Sequence, residues 1–289
     1  MSECVRRRRS ILIAAAGLAA LVTVLAVLLA SGDAPPRAGA LTAIALPPQY
    51  TALPAVTATG PLELDGTRPV VSPTPWSSWA LLDRRTNELW SSANGDDTSR
   101  TASMVKAWLA ALYLRKYPQP TAAWLAALST MIQDSDNRVA DRVYQVLGGN
   151  RTVTEAVRDL CSVQSSVPSG RWWASTTISA RQAVLLGDCI ADSRIASPEW
   201  TQWLLNEMRH VHGGGNFGIR WALPEDERST VAIKNGWTSG WGDGWYVNCM
   251  AITDTWVLVI ETRSGSFGAG IDGCWEITTQ LLRVPPKAG

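Results

Sequence analysis

Trp245-Tyr246-Val247-Asn248-Cys249-Met250-Ala251-Ile252 and, just beyond it, Thr255-Trp256-Val257-Leu258-Val259-Ile260 decide the class of this fold. Both runs are short and rich in β-branched and aromatic residues, so they read as strands. Val231-Ala232-Ile233 reads as a further, shorter strand. Far upstream, Trp79-Ala80-Leu81-Leu82-Asp83 and Glu88-Leu89-Trp90-Ser91 flank Arg84-Arg85-Thr86-Asn87, a predicted β-hairpin. The stretch between these ends has helical spacing. A helix is expected from Ser103 to Lys116, stopped before Pro118, and a second after Pro120 with Leu125, Leu128 and Ile132 on one face. A third spans Arg138–Leu147, ended by Gly148-Gly149. Thr152–Cys161 and Ser179–Ala191 follow, separated by a Ser/Trp-rich loop, and a last helix covers roughly Gly273–Arg283. Strands at both ends with helices between them predict an α+β fold: one antiparallel β-sheet with flanking helices, built from both terminal segments, plus an inserted all-helical subdomain.

Ahead of this folded region, placed at residues 76–285, the chain changes character. Residues 31–75 are a Pro/Ala-rich linker with Pro35-Pro36, Pro47-Pro48 and Pro73-Thr74-Pro75. Ile11–Ala30 is an unbroken apolar or small-residue run with a single Thr23, and its twenty residues suffice to span a bilayer core of about 30 Å. Arg6 to Arg9 precede it. Residues 1–10 are therefore expected to be a basic cytoplasmic tail, 11–30 a transmembrane signal anchor, and the remainder extracytoplasmic. Cleavage near Ala38-Gly39-Ala40, giving a secreted protein, is the rival expectation. No cysteine follows the apolar run until Cys161, which argues against a lipid-modified anchor.

The formal net charge of the whole chain is +1. Setting aside Arg6 to Arg9 and Glu3 leaves 22 Lys+Arg against 24 Asp+Glu from residue 31 onward, a balance of −2 that suggests no nucleic-acid surface. Cys4 lies before the apolar run. Cys161, Cys189, Cys249 and Cys274 form an even set in what would be an oxidising compartment. Three pairings are open, and Cys161–Cys189 with Cys249–Cys274 is the favoured one; four buried free thiols are the alternative.

The whole chain has four lysines, and two of them sit in short motifs. Ser103-Met104-Val105-Lys106 is S-x-x-K, and Lys234-Asn235-Gly236 is K-x-G, with Ser135-Asp136-Asn137 between them. On a helix, Ser103 and Lys106 share a face one turn apart. At the helix start, Ser103 would lie among unpaired N–H groups that favour developing negative charge. A serine hydroxyl needs a base, and a lysine can serve only if burial or another cation lowers its pKa; Lys234 could be that cation. In an extended stretch, Ser135 and Asn137 would face one side, with Asp136 turned away to bond backbone. Each motif alone has a plainer reading: an incidental surface lysine, or a helix-capping Ser-Asp-Asn turn.

Taken together, "SMVK", "SDN" followed by "RVADRVYQVLGG", "STTISARQAV" and "KNGW…GDGWYVN" resemble, in order, the class A β-lactamase and penicillin-binding DD-peptidase superfamily, over most of residues 76–285. The resemblance implies the same α+β architecture and a serine hydrolase with no cofactor. Ser103 would be the acylated nucleophile and Lys106 its base. Ser135 and Lys234 would shuttle the proton, and Asn137 would bind the substrate amide. Asn235 and Gly236 would complete substrate binding, with the N–H groups of Ser103 and Trp237 as oxyanion hole. Cell-wall peptides or β-lactams would be the substrates. Three departures stand out. Ser135 follows Ser103 by only 32 positions, a shorter interval than in class A enzymes. Asn235 replaces the usual Thr or Ser, which changes the reach toward a substrate carboxylate. The stretch Ser162–Thr177, where those enzymes carry the glutamate that activates the deacylating water, contains no Asp or Glu and holds Trp172 and Trp173 instead.

The remaining signals are bland. His210 and His212 lack a nearby third ligand, so no metal is expected. Gly213-Gly214-Gly215 reads as a flexible loop. Trp237, Trp241 and Trp245 fit either a stacking surface at a cleft mouth or ordinary rim packing. The sequence leaves the oligomeric state open.

Overall fold

The computed structural model describes residues 63–64, 70–167, 172–240, 242 and 244–283. The chain divides into two compact units, residues 1–43 and 44–289, and all described residues belong to the second. The apolar run, most of the Pro/Ala-rich linker and Trp241 lie outside the described residues. Among the described residues no helix is long and apolar enough to cross a membrane.

In chain order the strands are β1 (Glu63–Leu64), β2 (Trp76–Asp83), β3 (Glu88–Ser91), β4 (Thr98–Arg100), β5 (Thr177–Ser179), β6 (Ala232–Ile233), β7 (Gly236–Gly240), β8 (Gly244–Ile252), β9 (Trp256–Ser264) and β10 (Leu282–Arg283). The main sheet is antiparallel with order β3-β2-β9-β8, and the free edge of β8 is shared by β6 and β7. β6 pairs Ala232 with Ile252 and β7 pairs Gly236 with Asn248, so the edge is interrupted at Lys234-Asn235. Both ends of the chain build this sheet, through the pairings of Trp79 with Ile260 and of Cys249 with Ile260. The α+β architecture expected from the sequence is the one observed.

The helices are α1 (Lys106–Lys116), α2 (Ala122–Gln133), α3 (Asn137–Leu147), α4 (Gly149–Cys161), α5 (Ala180–Ala191), α6 (Pro198–Arg209), α7 (Ile219–Ala222) and α8 (Phe267–Leu281). α1 is buried from Lys106 to Leu114 and packs against α2, α3, α4 and α6, as suits a helix apolar on nearly all sides. α5 and α8 cover opposite faces of the sheet. Gly187 of α5 lies against Val257 and Gly270 of α8 against Val247; Val247 pairs with Thr262, five positions from Val257, and odd separations along a strand face opposite sides.

Helix starts follow local chemistry. Thr121, Asp136, Ser179, Ser197 and Ser266 each accept a hydrogen bond from a backbone N–H of the first turn. Two of these starts escaped the sequence reading. α6 begins at Ser197-Pro198, a cap followed by proline at the first helical position. α8 begins at Phe267 after the Ser266 cap, six residues before the expected Gly273, because its early glycines mask a helical pattern. The chain is also ordered upstream of Trp76: β1 pairs with β10, and Val71 N–H donates to Gln280 Oε1 at 2.9 Å. The cysteines pair as Cys161–Cys189 and Cys249–Cys274, with Cα separations of 5.7 and 6.3 Å.

Candidate active site

Ser103 sits in a single 3-10 turn, Ala102–Val105, where the sequence reading expected the first turn of an α-helix; the α-helix starts at Lys106. Three contacts set this turn. Asn248 Nδ2 donates to Arg100 O at 2.5 Å, Thr101 N–H donates to Thr176 O at 2.8 Å, and Met104 N–H donates to Thr101 O at 3.0 Å. Ala102 adopts φ 44°, a left-handed conformation that costs a non-glycine residue of order 1–3 kcal/mol and clusters at functional sites. Gly236 seals the turn from the sheet side. A Cβ there would lie 2.2 Å from Thr101 O, 2.5 Å from Met104 N and 2.8 Å from Ser103 N, so only glycine fits. That close approach explains the glycine of Lys-Asn-Gly physically: it brings the β7 backbone against the Ser103 amide. Among the described residues, the half-buried Ser103 hydroxyl has no hydrogen-bond partner.

Four of the polar residues named from the sequence, Lys106, Ser135, Asn137 and Lys234, converge. Lys106 Nζ donates to Ser135 O at 2.5 Å, to Ser135 Oγ at 3.1 Å and to Asn137 Oδ1 at 2.7 Å, which uses all three ammonium hydrogens. Lys234 Nζ donates to Ser135 Oγ and to Asn235 O, each at 3.1 Å. Ser135 Oγ thus accepts from two lysines. With both lone pairs engaged, its own hydrogen is free to point into the cleft.

The local backbone differs from the expected extended stretch. Ser135 is left-handed, φ 61°, and Asn137 is already the first residue of α3. Asp136 Oδ1 caps α3 by accepting from Val139 N–H at 2.9 Å. The capping turn and the site are therefore one device: the cap fixes Asn137, and the left-handed bend aims both the carbonyl and the hydroxyl of Ser135 at Lys106. α2, which leads into it, is tied to α6 by Ser129 and Gln133, both donating to the buried Glu207 carboxylate.

Burial sets the electrostatics. Both lysines are fully buried. Desolvation pulls the Lys106 pKa down to about 8, partly offset by the charges of Asp136 and Asp141. Lys234 is driven well below the usual lysine value, by burial first and by the Lys106 charge second. The positive charge of the pair therefore rests preferentially on Lys106, which has the two aspartates nearby.

Asn235 is placed differently from a substrate-binding group. Both its amide hydrogens go to backbone carbonyls, Gly215 O at 3.0 Å and Phe217 O at 2.9 Å, and the side chain is buried. It tethers the 213–218 loop to the sheet edge instead of offering an N–H to the cleft. The loop also presses on the Cys249–Cys274 disulfide: Gly218 has φ 72°, and a Cβ there would lie 2.6 Å from Cys249 Sγ. Trp237 is half-buried on β7 and meets Phe217 and Phe267, with ring centroids 5.6 and 5.7 Å away, and Trp245 meets Phe267 at 5.4 Å. His212 Nε2 pairs with Asp134 at 2.8 Å. Among the described residues no group of three His, Cys, Asp or Glu could hold a metal.

On its remaining side Lys106 meets an aromatic ring. Its Nζ lies 5.0 Å from the centroid of the buried Trp173, whose Nε1 donates to Asp141 Oδ1 at 2.7 Å. The neighbouring Trp172 is exposed. The sequence singled out this loop for its missing carboxylate but gave no role to Trp173 or Asp141. Asp141 was findable, since it lies one helical turn beyond Asn137 on the same face of α3; which of two adjacent tryptophans turns inward was not.

No protein-family profile matches the chain. Solved structures that share its shape include a β-lactamase from Chitinophaga pinensis, with TM-score 0.61 and 18% identity over 71% of this chain and 92% of that one. TLA-3 extended-spectrum β-lactamase aligns with TM-score 0.59 at 16% identity over the same shares. An ancestral class A β-lactamase gives 0.54 at 20% identity, covering 70% and 92%. The fold is thus that of the class A β-lactamases. In sequence, the chain is similar to a Mycobacterium tuberculosis protein named "Putative lipoprotein LppW", 29% identical over 177 residues. That match covers 58% of this chain and 56% of the relative, so it spans about half the relative's length.

Proposed function

We propose that this chain, with the fold of the class A β-lactamases, is an active-site serine hydrolase or acyltransferase that acts on amide bonds of cell-wall peptides or β-lactams through an acyl-enzyme at Ser103. The observation that carries this reading is the convergence of Lys106, three residues after Ser103, and Lys234 on Ser135 Oγ, at 3.1 Å each. In acylation, neutral Lys106 takes the Ser103 proton as Oγ attacks the carbonyl carbon. The N–H groups of Ser103 and Trp237 donate to the developing oxyanion. The free hydrogen of Ser135 then passes to the leaving amine, and Ser135 is reprotonated from the lysine pair. The amine departs, leaving an ester on Ser103. Asn137 holds Lys106 at rest and exchanges that contact for the substrate amide. A pKa of about 8 makes Lys106 a usable base, with roughly a tenth of it neutral at pH 7.

A second reading rests on Trp173. Ester hydrolysis needs a base for the attacking water, yet the loop facing Lys106 contributes an indole and its sequence has no carboxylate. A long-lived acyl-enzyme follows, as in a slow peptidase or a penicillin- or muropeptide-binding sensor. A true β-lactamase would need a different deacylation route. The membrane placement is also part of the proposal. Ile11–Ala30 would anchor the protein with its folded domain outside, consistent with similarity to a protein named as a lipoprotein, although this chain has no cysteine between residues 31 and 160. Fluorescent penicillin labelling of parent and Ser103→Ala protein tests the reading: a Ser103-dependent label is expected, and an equal label on the alanine variant, or none on either, contradicts it.

A further inference from the structure

All three N–H bonds of the Lys106 ammonium go to polar partners, and beside it stands a ring face held in a fixed orientation. Trp173 is buried, its indole N–H is bonded to Asp141 Oδ1 at 2.7 Å, and its centroid lies 5.0 Å from Nζ, inside the roughly 6 Å reach of a cation–π contact. Any large apolar residue could fill the space; only an indole also spends its edge N–H on Asp141, and that bond sets the plane of the ring. α3 therefore serves the lysine twice, directly through Asn137 and, one turn on, through Asp141 and the ring. The charged groups that bear on Lys106 are Asp136 and Asp141 from α3 and Lys234 from the interrupted sheet edge.

We propose that Trp173 is a positioning residue of this site: its ring face, fixed by the bond to Asp141, lies against the Lys106 ammonium and favours the charged lysine over the neutral one. The importance of this for chemistry rests on Lys106 acting as the base under the proposed function; the contact itself does not. Trp173 thereby opposes desolvation and keeps the lysine charged at rest.

The test is nuclear magnetic resonance on full-length protein labelled at the lysine side chains, practical because the chain has only four lysines, assigned by Lys→Arg substitution. In the parent protein, the Lys106 Hε resonances are expected upfield, displaced by the Trp173 ring current; resonances at ordinary lysine positions overturn the proposal without any Trp173 variant. In Trp173→Leu the displacement disappears and the Lys106 titration midpoint falls by about half to one and a half pH units. Trp173→Phe, which keeps a ring but loses the bond to Asp141, restores the midpoint only in part. A midpoint that is unchanged or higher in the leucine variant overturns the proposal. Trp173→Met supplies the same comparison if the leucine protein does not fold. Because the readout is the lysine itself, a protein that never acylates still returns an answer here, so failure of the hydrolase reading and failure of this one are distinguishable.

Discussion

The two walls around Lys106 are made of opposite materials. On one side stand Ser135, Asn137 and, through Ser135, Lys234, a wall of hydrogen-bond partners within 2.5 to 3.1 Å in which the Ser135 hydroxyl and Lys234 can pass protons. On the other stands Trp173, which stabilises a cation and can neither take nor give the proton of a water molecule. Under the proposed function, a site furnished this way would make an ester at Ser103 more readily than break it, and the two half-reactions would draw on different walls.

The sharpest break of the polar wall is removal of its ends. Ser103→Ala should abolish adduct formation, and Lys106→Ala should slow it by about 10²–10⁴-fold, the usual worth of a general base. Time courses of adduct formation by intact mass spectrometry check this, and an unslowed Lys106→Ala protein would remove the base from the scheme.

A second comparison sharpens what the polar wall accomplishes. Glu261 is as buried as the lysines and lies opposite Asn248, yet among the described residues neither of its carboxylate oxygens has a hydrogen-bond partner. Burial pushes its pKa well above the usual carboxylate value, only partly offset by Arg263. With the folded pKa raised, stability is fully present below the unfolded pKa, near 4.5, and is lost as pH rises toward the folded value. Glu261→Gln removes that loss. Its advantage over the parent should be least near pH 4.5 and grow by up to about 1.4 kcal/mol per pH unit above it, measured as denaturant unfolding at several pH values. A pH-independent difference would mean that Glu261 is satisfied and ionised.

Asn235 supports the polar wall from behind. Asn235→Ala leaves Gly215 O and Phe217 O without their donor and should cost about 1–3 kcal/mol, read from the urea midpoint. A neutral result would mean that the 213–218 loop is held by the disulfide contact alone. The smallest effect is in pH dependence. With neutral Lys106 as the proposed base, the acylation rate should rise through a midpoint near its pKa of about 8 and be roughly tenfold lower at pH 7 than at its plateau. A rate that is flat from pH 6 to 9 contradicts Lys106 as the titrating group.

The chain displays some of this openly. Alternating and β-branched runs such as Trp245–Ile252 announce strands, and Lys106, Ser135, Asn137 and Lys234 are chemistry-bearing residues in short motifs, so their convergence could be anticipated. What stayed hidden depends on backbone twist and side-chain direction. The left-handed bend at Ser135 cannot be told from an extended Ser-Asp-Asn stretch by residue type, and it is this bend that turns a carbonyl as well as a hydroxyl toward Lys106. Asn235 reads as a substrate contact until its amide is seen facing Gly215 and Phe217. Trp173 reads as one of two interchangeable tryptophans, yet one is buried and its neighbour exposed.

The most direct measurement of the contrast between the walls is the fate of the adduct. Protein briefly exposed to a penicillin, freed of excess reagent and followed by intact mass spectrometry should carry one Ser103-dependent adduct that persists for minutes or longer. Loss of the adduct within seconds, with multiple turnovers of the drug hydrolysed, would contradict the assignment and require a carboxylate from elsewhere in the chain to act on the deacylating water.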